Sequence, residues 1–155
     1  MNENNAYILG TDKEELHRLE IQHKIWKSEA RTGWKIAEFK SGQRLLDLGC
    51  GPGLCTVELA NVAGESGKVI GVDQSESFIN YLKQIKLKHQ LSIEPKLTDF
   101  NTLSLGPSSI DGVYCRWALA WTPNPKKVLS SIKTFLKPGG RMVIQEYFYW
   151  ASHQT

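Results

Sequence analysis

Three features of this 155-residue sequence predict an α/β fold built on one open, mainly parallel sheet. Short apolar segments alternate with segments of helical periodicity between residues 44 and 146, a glycine-rich turn follows the first apolar segment, and acidic residues follow the next two. Strands that alternate with helices pair in parallel through right-handed crossovers, which gives a doubly wound, Rossmann-like sheet. The chain length suits one compact domain.

The first helix is predicted from a capping-box pattern, Thr11-x-x-Glu14. Residues at helical spacing are expected to form its inner face, and Gly33 is expected to help end it. The inner-face residues are Leu16, Leu19, His23, Trp26 and Ala30. We divide the chain into an N-terminal helical lid segment, residues 1–34, and a sheet-bearing domain, residues 35–155.

The remaining predicted elements alternate along the chain. The predicted strands cover residues 44–48, 68–72, 92–97, 110–115 and 141–146. The predicted helices cover residues 54–63, about 75–90 and about 125–136. Ser75 suits the N-cap of the second of these helices, and Pro125 suits the first turn of the third. Residues 137–140, Lys-Pro-Gly-Gly, are predicted to turn the chain into the last strand.

Composition excludes several classes of protein. The net charge of +3 is only a weak bias toward anionic partners and not a nucleic-acid signature, and the cluster Lys83, Lys86 and Lys88 fits a solvated helix face better than a phosphate contact. No apolar run approaches the ~20 residues of a membrane span, and the polar first residues do not resemble a signal peptide. The three cysteines form no CxxC pair, and the histidines have no metal-ligand spacing. We expect a cytoplasmic protein with reduced thiols and no metal.

The run Gly49-x-Gly51-x-Gly53 between a strand and a helix predicts a nucleotide-binding turn. A dinucleotide turn has the form GxGxxG, whose third glycine allows helix amides to reach a pyrophosphate. Leu54 occupies that place here. Asp47 would repel a pyrophosphate, but it suits a cofactor that carries an ammonium and a sulfonium. The pattern favours S-adenosylmethionine over a dinucleotide; a glycine turn without a ligand is the remaining alternative.

Two acidic residues follow the next strands. Asp73 is placed to accept hydrogen bonds from the hydroxyl groups of a ribose. Both S-adenosylmethionine and a dinucleotide contain a ribose, so Asp73 does not distinguish them. Its alternative role is to cap the following helix. Asp99 and Phe100 suit the amino group and the ring face of adenine. Ordinary turn chemistry is the alternative for Asp99.

Five segments in succession carry a family resemblance. They are LLDLGCGPG at 45–53, GVDQS at 71–75, TDF at 98–100, IDGVYCRWAL at 110–119 and LKPGGRMVIQE at 136–146. Their order and spacing resemble the class I S-adenosylmethionine-dependent methyltransferases, above all the small-molecule branch that includes ubiquinone and menaquinone biosynthesis enzymes. The resemblance covers about residues 40–146. It implies the strand order 3-2-1-4-5, with the usual sixth and seventh strands missing.

The resemblance also implies a set of cofactor contacts. The glycine turn would pass under the methionine portion, Asp47 would lie near its amino group, and Asp73 would hold the ribose. Arg116 would meet the cofactor carboxylate or an acidic substrate, unless it is an ordinary surface arginine. The implied cofactor set is Asp47, Gly49, Cys50, Gly51, Gly53, Asp73, Gln74, Asp99, Phe100 and Arg116.

The acceptor side is less clearly marked in the sequence. Trp117 and Trp121 are implied as walls of the acceptor pocket, although core packing is the alternative for one of them. Tyr7, Gln22, His23 and Trp26 are candidates for an N-terminal lid, with Tyr7 and Trp26 toward the substrate. No residue stands out as a general base, so no catalytic residue is named.

The expected function is methyl transfer from S-adenosylmethionine to a small-molecule acceptor. The alternatives are a non-catalytic module that binds S-adenosylmethionine or S-adenosylhomocysteine, an N-terminal fragment of a longer methyltransferase, and, least favoured, a nicotinamide oxidoreductase. The fifth strand is expected to be an exposed apolar edge through which a homodimer can form.

Overall fold

The structure is a computed structural model that describes residues 13–147. Its helices are α1 (Lys13–Ile36), α2 (Leu54–Ala63), α3 (Glu76–His89) and α4 (Pro125–Phe135), with a 3-10 turn at Leu119–Trp121. Its strands are β1 (Arg44–Leu48), β2 (Lys68–Asp73), β3 (Ile93–Leu97), β4 (Ile110–Arg116) and β5 (Leu136–Gln145). None of the helices within this range is long and apolar enough to cross a membrane.

The five strands form one parallel sheet in the order β3-β2-β1-β4-β5, and the predicted fold class and strand order are confirmed. The sequence order reverses between β1 and β4, and their register pairs Leu48 with Cys115. Because all strands run the same way, the residues at their carboxyl ends meet at one edge of the sheet. This edge gathers Asp47, Asp73 and Arg116.

Hydrophobic clusters cover both faces of the sheet. Alternate side chains of a strand point to opposite faces, so Leu45 belongs to the cluster with α1, α2 and α3, whereas Leu46 and Leu48 belong to the cluster with α4. Asp47 shares the face of Leu45, where Thr56 of α2 donates a hydrogen bond to it. The inner strands are therefore apolar on both sides, except for the carboxylates at their carboxyl ends.

Helix α1 departs from the sequence prediction in two ways. It continues past Gly33 to Ile36, so the prediction that Gly33 ends it was wrong. A Cβ on Gly33 would lie 2.9 Å from Val143 Cγ1, which shows that the glycine allows α1 to approach β5 closely. Trp26, predicted on the inner face, is 43% exposed, and the capping residue Thr11 lies outside the described residues.

The segment 137–140 was predicted as a turn, but it belongs to the irregular start of β5. The pairing with β4 jumps from Ile110–Leu136 to Gly112–Arg141, so the four residues 137–140 bulge out opposite Asp111. Lys137 Nζ lies 2.7 Å from a carboxylate oxygen of Asp111, and this contact holds the bulge against β4.

We predict that Gly112→Ala lowers the free energy of unfolding by about 1–3 kcal/mol, the usual cost of overpacking a core. An added Cβ would lie 2.3 Å from Cε1 of the Phe39 ring, which is a buried core residue. Urea unfolding measures the loss. Gly106→Ala is the matched control, because its Cβ would meet nothing nearer than 3.7 Å; equal losses in both variants would contradict the prediction.

Candidate functional site

A cleft of about 1080 Å³, including its open mouth, lies at the carboxyl ends of β1, β2 and β4. Helix α1 forms one side of it through Arg18, Leu19 and Gln22. Most of the residues predicted from the sequence line this cleft. They are Asp47, Gly49, Cys50, Gly51, Asp73, Gln74, Asp99, Phe100, Arg116, Trp117 and Trp121, together with the lid candidate Gln22.

Three of the predicted residues within the described part of the chain do not line the cleft: Gly53, Trp26 and the lid candidate His23. Gly53 faces α3 instead, where an added Cβ would lie 2.3 Å from Leu82 Cδ1. Trp26 packs edge-on against Trp117, with ring centroids 5.9 Å apart, so it borders a wall of the cleft from behind. Tyr7 lies outside the described residues.

The glycine turn bends sharply at the end of β1. Gly49 and Cys50 both donate their amide N–H to the carbonyl of Val72, at 2.9 Å, which ties the turn to β2. Gly49 has φ +74° and packs so closely that an added Cβ would lie 2.3 Å from Ala118 Cβ, whereas a Cβ on Gly51 would meet no atom within 4 Å. The turn is tightly packed on one side and open to the cleft at Gly51.

Asp73 connects the turn to the next helix. One carboxylate oxygen accepts from the Gly51 amide and the other from the Ser75 amide, each at 2.8 Å. Burial raises the pKa of Asp73, and these main-chain hydrogen bonds oppose the rise. Ser75 itself caps α3, since its Oγ accepts from the Phe78 amide. A carboxylate can accept about four hydrogen bonds, so Asp73 keeps capacity for a ligand.

Asp47 is a buried carboxyl group, 2% exposed. Thr56 Oγ1 donates to it at 2.7 Å. Burial raises the pKa of Asp47 to about 6, while the Thr56 hydrogen bond and the positive charge of Arg116 hold it down. The floor of the cleft therefore holds a carboxylate whose charge is only partly compensated.

Arg116 ends β4, and Trp117 follows it. Arg116 Nη1 is buried and has no hydrogen-bond partner among residues 13–147, and the guanidinium carbon lies 5.0 Å from the centroid of the Trp117 ring. Trp117 has φ +51°, a conformation that costs a non-glycine residue free energy. Its ring stacks on Tyr147 with centroids 5.6 Å apart. A strained aromatic residue and a partly buried cation thus stand side by side at the cleft.

Asp99 and Phe100 form the outer rim. Asp99 is exposed, and one of its oxygens accepts from both the backbone and the side-chain amide of Asn101. The turn chemistry considered for Asp99 is therefore present, and it leaves the carboxylate beside the cleft. Phe100 is half-buried and reaches under Gly49, where its ring would lie 3.2 Å from an added Cβ.

Sequence reasoning missed several residues that line the cleft. Arg18 and Leu19 come from the predicted first helix, but only the packing of α1 shows which of its turns faces the site. Tyr114 lies inside β4 and gave no signal beyond an apolar run, and Asn101 and Thr122 lie in loops. The additional lining residues are Arg18, Leu19, Pro52, Leu54, Cys55, Asn101, Tyr114, Ala118, Thr122 and Tyr147.

The cysteines are poor nucleophiles in this fold. Cys50, Cys55 and Cys115 are free and buried, and burial raises the pKa of each thiol, that of Cys55 to about 12. Nucleophilic attack requires the thiolate. Within residues 13–147, no three His, Cys, Asp or Glu side chains are grouped to hold a metal ion.

We predict that Asp47→Asn raises the free energy of unfolding at pH 8 by about 1–3 kcal/mol and gives no gain at pH 4. The pKa of the folded carboxyl group, about 6, is above that of the unfolded chain, so its contribution to stability is lost as pH rises from about 4 through 6. Asparagine keeps an oxygen for Thr56 without the charge. Urea unfolding at both pH values measures the effect.

Asp111→Asn is the control of opposite sign. Its hydrogen bonds with Lys137 and with the Arg44 amide lower the pKa of Asp111, so its replacement should cost stability at pH 8. A gain from Asp47→Asn that is the same at pH 4 and pH 8 would show that charge burial is not the cause.

Comparisons with known proteins agree with this geometry. A methyltransferase-domain family profile matches residues 39–154. Demethylmenaquinone methyltransferase of Lactococcus lactis is 37% identical over 136 residues, which is 86% of this chain and 51% of that enzyme. That of Bacillus cereus is 31% identical over 134 residues, 81% of this chain and 52% of the enzyme. The chain thus spans about half the length of these two relatives.

Solved structures share the fold. A crystal structure of a SAM-dependent methyltransferase from Aquifex aeolicus superposes with a TM-score of 0.65 at 28% identity, and covers 70% of this chain and 58% of its own. The [4+2]-cyclase SpnF superposes with a TM-score of 0.67 at 23% identity, over 75% of this chain and 44% of its own, which shows the fold alone. By the family match, the chain belongs to the methyltransferase-domain family.

Proposed function

We propose that this protein is an S-adenosylmethionine-dependent methyltransferase that acts on a small-molecule acceptor. The observation that carries the proposal is the cleft, where Asp47, Asp73 and Arg116 converge on the open side of the glycine turn at Gly51. A turn of this kind lets a ligand approach the backbone closely. Two buried carboxylates at this place disfavour a pyrophosphate and suit a cationic adenosyl cofactor.

The residues present fit the parts of such a cofactor. Asp73 is fixed by two main-chain amides and would accept the ribose hydroxyls, while Gln74, Asp99 and Phe100 would surround the adenine. Asp47 would attract the ammonium group, and Arg116 the carboxylate. Gly49, Cys50 and Gly51 would lie along the methionine portion. Gly53 would act indirectly, by letting α2 and the Leu82 side chain pack together.

When bound, the cofactor supplies an activated methyl group for in-line displacement. The task of the protein is then to orient the acceptor and exclude water, and orientation alone can lower a barrier by ~7–11 kcal/mol. Trp117, Trp121 and Tyr147 line the same cleft as Arg116, and Trp26 packs against Trp117. We propose that these aromatic residues form the acceptor wall.

The alternative is a module that binds S-adenosylmethionine or S-adenosylhomocysteine without turnover, or one part of a longer methyltransferase. Two facts fit this alternative. The SpnF cyclase has the same fold, and the chain spans about half the length of the two demethylmenaquinone methyltransferases. The two functions differ in one observable, the transfer of the methyl group to an acceptor. The relatives named demethylmenaquinone methyltransferase suggest demethylmenaquinone as the first acceptor to assay.

We also propose a cytoplasmic location, no nucleic-acid partner and a homodimer that forms through β5. In the described part of the chain, β5 pairs only with β4, so its outer main-chain groups are open to a second copy. Ile144 on this strand is exposed. An apolar strand at a sheet edge invites pairing with another chain.

We predict that the protein binds S-adenosylmethionine and S-adenosylhomocysteine but not NAD, and calorimetry measures each affinity. Asp73→Ala should weaken the binding of both adenosyl ligands by at least ~10-fold, because a hydrogen bond to a charged group contributes about 1.5–3 kcal/mol. Asp111→Ala is the matched control. Asp111 also accepts a main-chain hydrogen bond, but it lies at the amino end of β4, away from the cleft at the carboxyl ends of the strands. No heat of binding with either ligand at millimolar concentration would refute the proposed cofactor.

For the dimer, we predict a mass in solution of about twice 17.5 kDa and a shift toward monomer in Ile144→Lys, since charges on an edge strand block pairing. Leu87→Lys places the same charge on an exposed position of α3 and should not change the mass. Sedimentation equilibrium measures the mass of each variant. A monomer mass at every concentration would exclude pairing through β5.

A further inference from the structure

His23 joins helix α1 to the floor of the cleft, although it does not line the cleft itself. It is 8% exposed and lies between α2 and the end of β4. Its Nε2 is 3.0 Å from a carboxylate oxygen of Glu58, and its Nδ1 is 3.3 Å from Nη2 of Arg116. Cys55 Sγ lies 3.7 Å from the same Nδ1.

The partners of His23 determine its protonation. Glu58 also accepts from Arg31 at 2.8 Å, and its pKa is lowered by hydrogen bonds with Arg31 and His23, so it is an ionised acceptor and Nε2 must donate. Arg116 has only donors, so Nδ1 must accept. Both contacts exist together only in the neutral Nε2–H tautomer. Burial lowers the pKa of His23, which favours this neutral form.

This arrangement fixes one side of the Arg116 guanidinium. Nη2 donates to His23, the Trp117 ring lies beside the group, and Nη1 is buried without a partner in the described chain. No carboxylate among residues 13–147 lies within ion-pair distance of Arg116. A buried guanidinium N–H without an acceptor is costly, and a ligand carboxylate would remove that cost.

The negatively charged group that accompanies Arg116 in the cleft is the carboxylate of Asp47. Burial raises the pKa of Asp47, and the charge of Arg116 opposes that rise. Both side chains line the cleft. One wall therefore presents a carboxylate and a guanidinium on the adjacent strands β1 and β4. A ligand group that carries an ammonium and a carboxylate on one carbon complements such a pair.

We propose that His23 is a positioning residue that holds Arg116 for the carboxylate of the cofactor's amino-acid end. This inference rests on the proposed function. It makes α1 part of the cofactor site through a chain of contacts from Arg31 through Glu58 and His23 to Arg116, with no direct contact between His23 and the cofactor.

Two substitutions of similar size separate this role from a structural one. In His23→Asn, the carbonyl oxygen lies near the place of Nδ1 and can still accept from Arg116, but the contact with Glu58 is lost. In His23→Gln, the amide can donate to Glu58, but the acceptor for Arg116 is lost. We expect His23→Gln to weaken S-adenosylhomocysteine binding by ~10-fold, and His23→Asn to weaken it much less.

The decisive measurement is a double-mutant cycle by calorimetry. The loss of S-adenosylhomocysteine affinity caused by His23→Gln should vanish when Arg116 is also replaced by Met. With Arg116 present, His23→Gln should cause no loss of affinity for a decarboxylated S-adenosylhomocysteine probe. Thermal unfolding of every variant establishes that it is folded. His17→Gln, the same change at an exposed position of α1, should leave the affinity unchanged.

Three outcomes would overturn the inference: equal losses in His23→Asn and His23→Gln, the same His23→Gln loss in the Arg116→Met background, or an equal loss with the decarboxylated probe. Each of these leaves the proposed function intact, because the wild-type protein still binds S-adenosylhomocysteine. Absence of binding by the wild-type protein would instead refute the proposed function, and the inference with it.

Discussion

The carboxylate of Asp73 is the interaction on which the cleft depends. It accepts from Gly51 on the glycine turn and from Ser75 at the start of α3, so one side chain at the end of β2 fixes two loops. The main-chain amides stabilise a charge that burial alone would disfavour. Once the turn is fixed, Gly49 must pass beneath Ala118 and Gly53 must pack on Leu82, and neither place has space for a side chain.

The cleft differs from the rest of the chain in how its polar groups are satisfied. Glu58 has both His23 and Arg31 as partners, and Asp111 has Lys137 and the Arg44 amide. Asp47, by contrast, is buried, and the buried Nη1 of Arg116 has no hydrogen-bond partner among residues 13–147. Trp117 beside Arg116 is strained. Groups of this kind concentrate at binding sites, because the free energy that they cost the empty protein is recovered when a ligand binds.

The parts of this protein that the sequence predicts are those that depend on local chemistry. The alternation of apolar and helical segments predicts the parallel sheet, and the family resemblance implies its strand order. The residues after β1, β2 and β4 line the cleft where parallel strands place them. The features that the sequence does not predict depend on tertiary contacts. Gly33 resembles a helix end in sequence, but it is a contact with Val143. Gly53 belongs to the motif yet packs on α3. His23 has the spacing of a core residue, and nothing in the sequence indicates that Arg116, 93 positions away, is its partner.

Helix α1 has two parts with different surroundings. Its carboxyl-terminal part is anchored, since Trp34 packs edge-on against Tyr114 at 5.2 Å and Gly33 lies against β5. Its amino-terminal part borders the cleft through Leu19 and Gln22, with Ile21 and Ile25 exposed to solvent. His23 lies where these two parts meet. The side of the cleft that α1 forms is therefore fixed at one end by hydrophobic packing and at its middle by hydrogen bonds. Because Arg116 is one of those hydrogen-bond partners, the position of α1 and the orientation of the cationic group in the cleft depend on the same contact.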